Sequence, residues 1–285
     1  MSTSRRGLTL VELMTALVVF ALVAGSISRF MINAQRLSRA QVERIGLQSD
    51  LRTGALIVPS ELRELAANGT GSDIISMAAN SITFRAMRGM GFMCQVSATE
   101  IRLLNTGTIP FYGSRYVASG QDRVAVFVEN DPDISTDDTW LMLQPTGVAL
   151  SSTCGPETAI RLTFSDFSGQ LTDGISDIAV GGPVRSFEVM QLGRLVSGGQ
   201  TWLGSRSVSG GQSTLLPVLG PLTSNGFQLQ YFDGSGAVTT NPNMVRQIRI
   251  TLRGLTDHAV TRSLGDVPAV MQDSLVAVVT LRNAG

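Results

Sequence analysis

The chain has 285 residues, of which 43% are apolar, and its 22 arginines balance 22 acidic residues, so the formal net charge is zero. This length allows one large domain or two small ones with a sizeable core, and the neutral balance gives no evidence of a nucleic-acid groove. Lysine is absent, which excludes Schiff-base, P-loop and Ser–Lys chemistry. A single histidine excludes an HExxH motif or a multi-histidine metal site.

A long apolar segment follows a short polar leader. Residues 13–28 carry no charge, and as a helix these 16 residues rise roughly 24 Å, short of a hydrocarbon layer of roughly 30 Å. Extending the segment back to Leu8 gives 21 residues and roughly 31 Å, which is enough to span. The extension places Glu12 inside the bilayer. A carboxylate there costs on the order of a few kcal/mol without a partner, so Glu12 is a candidate functional residue.

Three kinds of signal compete for this segment. A secretory signal would use Arg5 and Arg6 as its basic region and residues 24–26, Ala-Gly-Ser, as its cleavage site. A twin-arginine signal is partly matched by residues 4–8. Neither signal explains an acidic side chain early in the apolar run.

The third candidate rests on the order of residues around Gly7. Arg5-Arg6-Gly7 is followed by Leu8, by Glu12 at the fifth position after the glycine, and by an unbroken apolar helix. This pattern closely resembles the prepilin leader of type IV pilins and type II secretion pseudopilins. The usual residue after the glycine in that family is phenylalanine, so leucine is a mild departure.

The resemblance implies a maturation pathway and a set of partners. A prepilin peptidase would cleave between Gly7 and Leu8 and methylate the new N-terminus on Leu8. Glu12 lies one turn further on the same helix face, so it is positioned to neutralise that amine or the amine of a neighbouring subunit. The partners implied are other major and minor pilins and the inner-membrane assembly platform. Neither an enzymatic activity nor a cofactor nor a nucleic-acid partner is implied.

The resemblance also implies a location. The chain would pass once through the bacterial inner membrane with a periplasmic domain, and would reach the pilus or cell surface after assembly. Arg29, Arg36, Arg39 and Arg44 follow the apolar run against a single Glu43. By charge counting alone, the positive-inside rule would not place this end outside. The orientation therefore comes from the resemblance.

The C-terminal third narrows the resemblance to a subfamily. Residues 227–236, 245–254 and 276–283 look like the tail of PilW-type minor pilins and GspJ-type minor pseudopilins, and the chain length favours the former. The expected function is a minor pilin that acts in initiation or at the tip of a type IV pilus. The alternatives are a minor pseudopilin of type II secretion and a membrane-anchored adhesin or binding module.

The expected fold is α+β. We predict a leader at 1–7, a membrane helix at 8–32, its continuation at 33–67 and a β-rich domain at 68–285. An apolar stripe along the continuation is expected to pack on the domain's own sheet, with members Leu51, Ala55, Val58, Leu62 and Leu65.

Irregular features are also predicted within this fold. Pro59 is expected to break or kink the helix, with a short second helix at 61–67. Alternation predicts strands at 81–86, 92–96, 100–104, 122–128, 140–143, 159–164, 184–192, 227–231, 245–252 and 275–281. Gly89 and Gly91 suggest a turn, and residues 193–226, rich in glycine and serine, are expected to form a loop with little core.

Three further groups of residues are candidate sites. Cys94 and Cys154 are expected to form a disulfide in an oxidising compartment, with two buried thiols as the alternative. Asp131, Asp133 and Asp137 lie in an acidic loop that resembles the start of a calcium loop, but the later positions of that motif do not match, so a solvated turn is favoured. The single histidine, His258, is expected to face solvent or to be hydrogen-bonded.

Overall fold

A computed structural model of the chain describes residues 9–68, 71–131, 133–134, 136–261 and 266–282. The structure has one long helix, α1 (Leu10–Arg63), followed by a large antiparallel β-domain, which confirms the predicted α+β class. Three short 3-10 helices lie in connecting loops, at Ser168–Gln170, Gly174–Asp177 and Pro242–Met244.

Fifteen strands follow α1 within the described residues. Their bounds are β1 Ala67–Asn68, β2 Gly71–Ser72, β3 Ile74–Ala78, β4 Ser81–Ser97, β5 Glu100–Leu104, β6 Tyr112–Gly113, β7 Arg123–Val128, β8 Thr139–Leu143, β9 Gly147–Cys154, β10 Glu157–Thr163, β11 Pro183–Ser197, β12 Gln200–Ser207, β13 Leu216–Phe232, β14 Gln247–Leu255 and β15 Gln272–Thr280.

Thirteen of these strands form one antiparallel sheet. Its main path runs β15-β14-β13-β12-β11-β4-β5-β10-β9, with β3 and β6 added to β4, and β7 joined to β11 and β8. The first two strands pair separately. Because most neighbours along the path are joined by hairpins, the domain grows outward from the two long central strands, β4 and β11.

Two hydrophobic cores flank these central strands. The helix-proximal core combines the last third of α1, including Leu51 and Leu62, with strands β13 to β15 and the first half of β4. The distal core lies between β5, β7 and β10, where Ile101, Val124 and Ile160 are fully buried. The apolar stripe of α1 therefore packs on the chain's own sheet, as predicted.

The predicted break at Pro59 is wrong, because α1 continues through it and ends at Arg63 rather than at 67. A proline inside a helix costs about 3 kcal/mol through one lost hydrogen bond and a steric clash. Val58, Leu62 and the following Leu65 are each at most 2% exposed, and burying each such side chain contributes about 1.5–3 kcal/mol. Packing against the sheet therefore outweighs the local cost.

The predicted turn at Gly89 and Gly91 is also wrong, since β4 runs through both residues. A β-carbon on Gly89 would overlap the Phe111 ring, and one on Gly91 would lie 3.1 Å from the same ring. Because both glycines lack a side chain, the Phe111 ring packs directly against the strand at this point. The strand itself continues through them.

The segment 193–226 is not the loop that its composition suggests. It contains the end of β11, all of β12 and the start of β13. Gly198 and Gly199 have positive φ angles of 60° and 78° and close a tight hairpin between β11 and β12. Leu203, Leu219 and Leu222 from this segment are buried in the helix-proximal core. Strands β3 and β9 were also not predicted.

Candidate functional site

The candidate site is the first half of α1, beginning with its N-terminal turn. Thr9 is the N-cap, and its side chain accepts a hydrogen bond from the Glu12 backbone N–H at 3.3 Å. In return, the Glu12 carboxylate accepts from the Thr9 N–H at 3.1 Å and from the Thr9 hydroxyl at 3.0 Å. This capping box places a carboxylate at the positive end of the helix dipole, beside backbone N–H groups that lack helical partners.

The predicted cleavage and methylation residues, Gly7 and Leu8, lie outside the described residues. Glu12 lies at the start of the described helix with its carboxylate directed back toward the N-terminus. The pairing of Glu12 with the mature N-terminus therefore stays a prediction, whereas the position of Glu12 in the first turn of the helix is observed.

The apolar segment after Glu12 has no protein packed against it. Every large apolar side chain from residue 10 to residue 32 is at least 49% exposed, and Leu10 reaches 76%. Two of the hydroxyls in the segment bond within the helix, since Thr15 donates to the Val11 carbonyl at 3.0 Å and Ser26 to the Leu22 carbonyl at 2.8 Å. A helix whose backbone groups bond internally and whose side chains are apolar on all sides is suited to lipid.

Among the described residues, α1 is the one helix long and apolar enough to cross a membrane. Its apolar end is joined rigidly to the β-domain, since the same helix continues into the helix-proximal core. These features are those of a membrane-anchored, single-pass protein.

Comparison with known proteins identifies the class to which this site belongs. Residues 2–28 match the family model of the prokaryotic N-terminal methylation motif. No curated protein and no solved structure shows significant similarity to the chain.

The matched motif supports membership of the type IV pilin-like superfamily, and with it processing by prepilin peptidase and association with pilins in general. That family is structural rather than enzymatic. The match covers the leader and the start of α1, and the β-domain lies outside it.

One contact joins α1 to the β-domain near the membrane side. His258, in the loop after β14, lies with Nδ1 3.0 Å from a Glu43 carboxylate oxygen, and its backbone N–H donates to the other oxygen at 3.4 Å. The histidine side chain is 81% exposed, in agreement with the expectation that it faces solvent. Sequence spacing gave no sign of this contact, because the two residues are 215 positions apart.

A second, more buried set of charges joins the far end of α1 to the sheet. Arg88 in β4 contacts Glu61 of α1 and Glu188 of β11, each at 3.2 Å. Arg115 lies 3.3 Å from the same Glu188 and forms a two-pronged ion pair with the fully buried Asp122. These groups come from four separate segments, so their pairing could not be read from sequence.

The pKa values in this set follow from burial and pairing. Burial raises the pKa of Glu188, but hydrogen bonds from Ser207, Gln121 and Arg88, together with the Arg88 charge, outweigh it and leave that pKa below its usual range. The hydrogen bond to Asp122 is the main reason that the pKa of Arg115 is raised. Both shifts favour the charged forms of Glu188 and Arg115, and the contacts of Arg88 with Glu61 and Glu188 join the helix to the sheet.

The two cysteines are joined in the structure. Cys94 of β4 and Cys154 at the end of β9 form a disulfide with their Cα atoms 6.2 Å apart. Strands β5 and β10 lie between β4 and β9 in the sheet, so the bond links strands that share no backbone hydrogen bonds. It closes the side of the domain that contains the distal core.

The acidic loop carries its own hydrogen bonds. The Asp131 carboxylate accepts from the Asp133 N–H at 3.0 Å, and the Asp137 carboxylate accepts from the Asp131 N–H at 3.2 Å. Within the described part of the chain, no group of three or more histidine, cysteine or acidic residues is placed to hold a metal ion. These contacts are those of a polar turn.

Proposed function

We propose that the chain is a minor pilin that takes part in the assembly of a type IV pilus, in the complex that initiates the filament or forms its tip. The observation that carries the proposal is the divided helix: residues 13–28 are uncovered and apolar on all sides, and the last third of the helix is fixed to a β-domain. The methylation motif at residues 2–28 supplies the processing signal. The domain would lie in the periplasm before assembly.

The proposed maturation creates a charge that Glu12 can meet. Cleavage after Gly7 leaves an amine on Leu8, four residues before Glu12 and on the same side of the helix. An unpaired charge is expensive in lipid, so the amine and the carboxylate stabilise each other, within one subunit or between neighbours. The capping box supports this role, because it already directs the carboxylate toward the helix start.

The direct test is to identify the mature N-terminus by mass spectrometry. Because the chain has no lysine, the mature N-terminus would be its one amine, and an amine-reactive reagent applied to the unfolded protein labels that site alone. Trypsin should release a peptide covering residues 8–29 with a methylated Leu8. A mature chain beginning near Ile27 would show an ordinary secretory signal and would end the proposal.

Substitutions at the two competing cleavage sites sharpen this test. Gly7→Glu should leave uncleaved precursor that does not enter filaments. The matched control is Gly25→Leu, which alters the competing secretory cleavage site and should leave processing after Gly7 intact. Processing lost in the control and kept in Gly7→Glu would contradict the proposal.

Glu12→Ala tests assembly separately from cleavage. The variant should be cleaved but should enter filaments poorly, measured as its amount in sheared pili relative to the membrane fraction. Thr9→Ala is the control, because it removes the capping hydroxyl and keeps the carboxylate; it should assemble. Normal incorporation of Glu12→Ala would remove the charge-pairing argument.

The type II secretion alternative has a distinct outcome. A pseudopilin would carry the same motif and the same helix, so maturation does not separate the two. Deleting the gene should abolish pili and leave protein secretion intact if the chain is a minor pilin. Lost secretion with normal pili would assign it to a secretion system.

A further inference from the structure

Three arginines lie at and beyond the outer end of the uncharged run. Arg29 ends the uncharged run, and Arg36 and Arg39 follow on the exposed helix. Among the described residues, none of the three makes an ion pair or a side-chain hydrogen bond. The one acid on the helix between residues 29 and 49 is Glu43, and its carboxylate is held by His258. We call Arg29, Arg36 and Arg39 the arginine surface.

The arginine side chains lie within reach of the lipid headgroup layer. A rise of about 1.5 Å per residue places Arg36 about 10 Å and Arg39 about 15 Å above Arg29. The headgroup region extends about 5–8 Å beyond the hydrocarbon on each side, and long arginine side chains reach back toward it. By the same rise, Arg44 and Arg52 lie about 22 Å and 34 Å above Arg29, beyond reach of the phosphates.

Two of the arginines also face the underside of the β-domain. Arg29 and Arg36 precede Leu47 by 18 and 11 residues, which are five and three helical turns, so the three side chains share a face. Leu47 packs toward Gly254 of β14, with its Cδ1 2.5 Å from the point that a β-carbon there would occupy. The arginines therefore project into the space between the domain and the bilayer.

The loop between β14 and β15 borders this space from above. Its His258 contacts Glu43, and further along the loop Thr261 lines the same cavity as Leu37 and Arg44 of the helix. The loop therefore lies beside the part of the helix that follows Arg36.

We propose that the arginine surface binds the phosphates of anionic phospholipids in the leaflet beneath the β-domain. Guanidinium groups form two-pronged, charge-assisted hydrogen bonds with phosphate oxygens, and an anionic surface attracts basic segments next to a membrane span. Such binding fixes the depth of the helix and the orientation of the domain over the bilayer before assembly. The proposal requires a membrane-anchored chain and holds for a pilin or a pseudopilin alike.

The test measures which lipids surround the full chain in a bilayer. The protein is reconstituted in phosphatidylcholine, and electron spin resonance compares the association of spin-labelled phosphatidylglycerol with that of spin-labelled phosphatidylcholine. Wild type should favour the anionic label about threefold or more, given that each arginine near an anionic surface contributes about fivefold at most. At 1 M salt, where the Debye length falls to about 3 Å, the preference should shrink.

Charge-matched variants locate the effect. The triple substitution Arg29→Gln, Arg36→Gln and Arg39→Gln should reduce the preference to near one, and the corresponding triple lysine variant should keep most of it. The control, Arg44→Gln with Arg52→Gln, removes two exposed charges outside reach of the lipid and should leave the preference unchanged. Circular dichroism confirms that the variants fold alike.

Several outcomes would overturn the proposal. They are equal association of both labels with wild type, a preference that survives in the triple glutamine variant, and an equal loss in the Arg44 and Arg52 control. If wild type shows no lipid preference and the triple glutamine variant fails to enter filaments, the arginines serve a protein partner instead.

Discussion

The two halves of α1 belong to one unbroken helix but meet different surroundings. In the first half Phe20 is 71% exposed, whereas in the second half Leu62 is fully buried against the sheet. In the first half, residues 13–28 are apolar on every side, and the second half is apolar along one stripe with polar residues between. The arrangement of apolar residues, and not their number alone, thus selects lipid for one half and protein for the other.

Close packing reinforces this difference at two glycines. A β-carbon on Gly54 of α1 would lie 2.5 Å from a Leu219 methyl carbon and 2.8 Å from one of Leu252. A β-carbon on Gly46, which lies beside the docked Leu47 but on another face of the helix, would meet nothing within 4 Å. The docked face of the helix is therefore fitted to the sheet, and the face that carries Gly46 is not.

The largest expected effect comes from emptying the docked stripe. Leu62→Ala should reduce the free energy of unfolding by about 2–5 kcal/mol, because it removes buried methyl groups and leaves a cavity. Urea unfolding of the detergent-solubilised chain, followed by tryptophan fluorescence, measures the loss. Leu56→Ala on the same helix is the control: Leu56 is 73% exposed, so its loss should stay within about 0.5 kcal/mol. Similar losses in both variants would contradict the docked arrangement.

A somewhat smaller effect is expected from filling the space at Gly54. Gly54→Val should destabilise the domain by about 1–3 kcal/mol, because the new methyl groups collide with two buried leucines. Gly46→Val places the same side chain in open space and should change stability by less than about 0.5 kcal/mol. Thermal unfolding followed by circular dichroism compares the two. Equal stability would mean that the helix can move away from the sheet without cost.

The smallest effect concerns the charges that join helix and sheet, and it depends on pH. The pKa of Glu188 is lowered in the folded state, so its contribution to stability is present above its unfolded pKa of about 4.3 and is lost as pH falls through the folded value. Between pH 7 and pH 3, wild type should therefore lose more stability than Glu188→Gln. Urea midpoints measured at both pH values give the comparison.

Asp73 provides a control of opposite sign for this measurement. Burial raises its pKa, against a hydrogen bond from the Ala66 N–H and the charges of Arg85 and Arg185. Its contribution is therefore present below the unfolded pKa of about 3.9 and is lost as pH rises through the folded value. Asp73→Asn should steepen the loss of stability in acid, whereas Glu188→Gln should flatten it. If both substitutions changed the pH dependence of stability in the same direction, the opposite pKa shifts given to Glu188 and Asp73 would be contradicted.

Much of the fold followed from local patterns. The strand predicted at 100–104 is β5 with the same bounds, and the alternation at 245–252 lies largely within β14. The errors arose where local composition and long-range packing disagree. Residues 193–226 contain many glycines and serines, yet they form strands, and Leu203 and Leu222 of these strands are buried in the helix-proximal core. Pro59 opposes helix locally, but the sheet beneath Val58 and Leu62 holds it within one.

The features of the candidate site also differ in whether they could be predicted from local sequence. The processing signal is contiguous in sequence: it consists of the leader pattern around Gly7, then Glu12, then the uncharged run. It could be predicted because a peptidase and a bilayer both act on a single extended or helical segment, without needing the rest of the fold. The arginine surface could be counted from sequence as charges. Its lack of partners could not, because that depends on where Glu43 and the β14–β15 loop lie in three dimensions.

By itself, the sequence determined the anchor, the class of processing signal and the alternation of most strands, since each is set by residues within a few turns or one strand of each other. Only the tertiary structure decided which groups meet across the chain: Glu43 with His258, Arg88 with Glu61 and Glu188, and Gly54 with Leu219 and Leu252. The physical reason is that burial and charge pairing depend on distance in space, and the packing of the sheet on the helix brings together residues that are 27 to 215 positions apart in the chain.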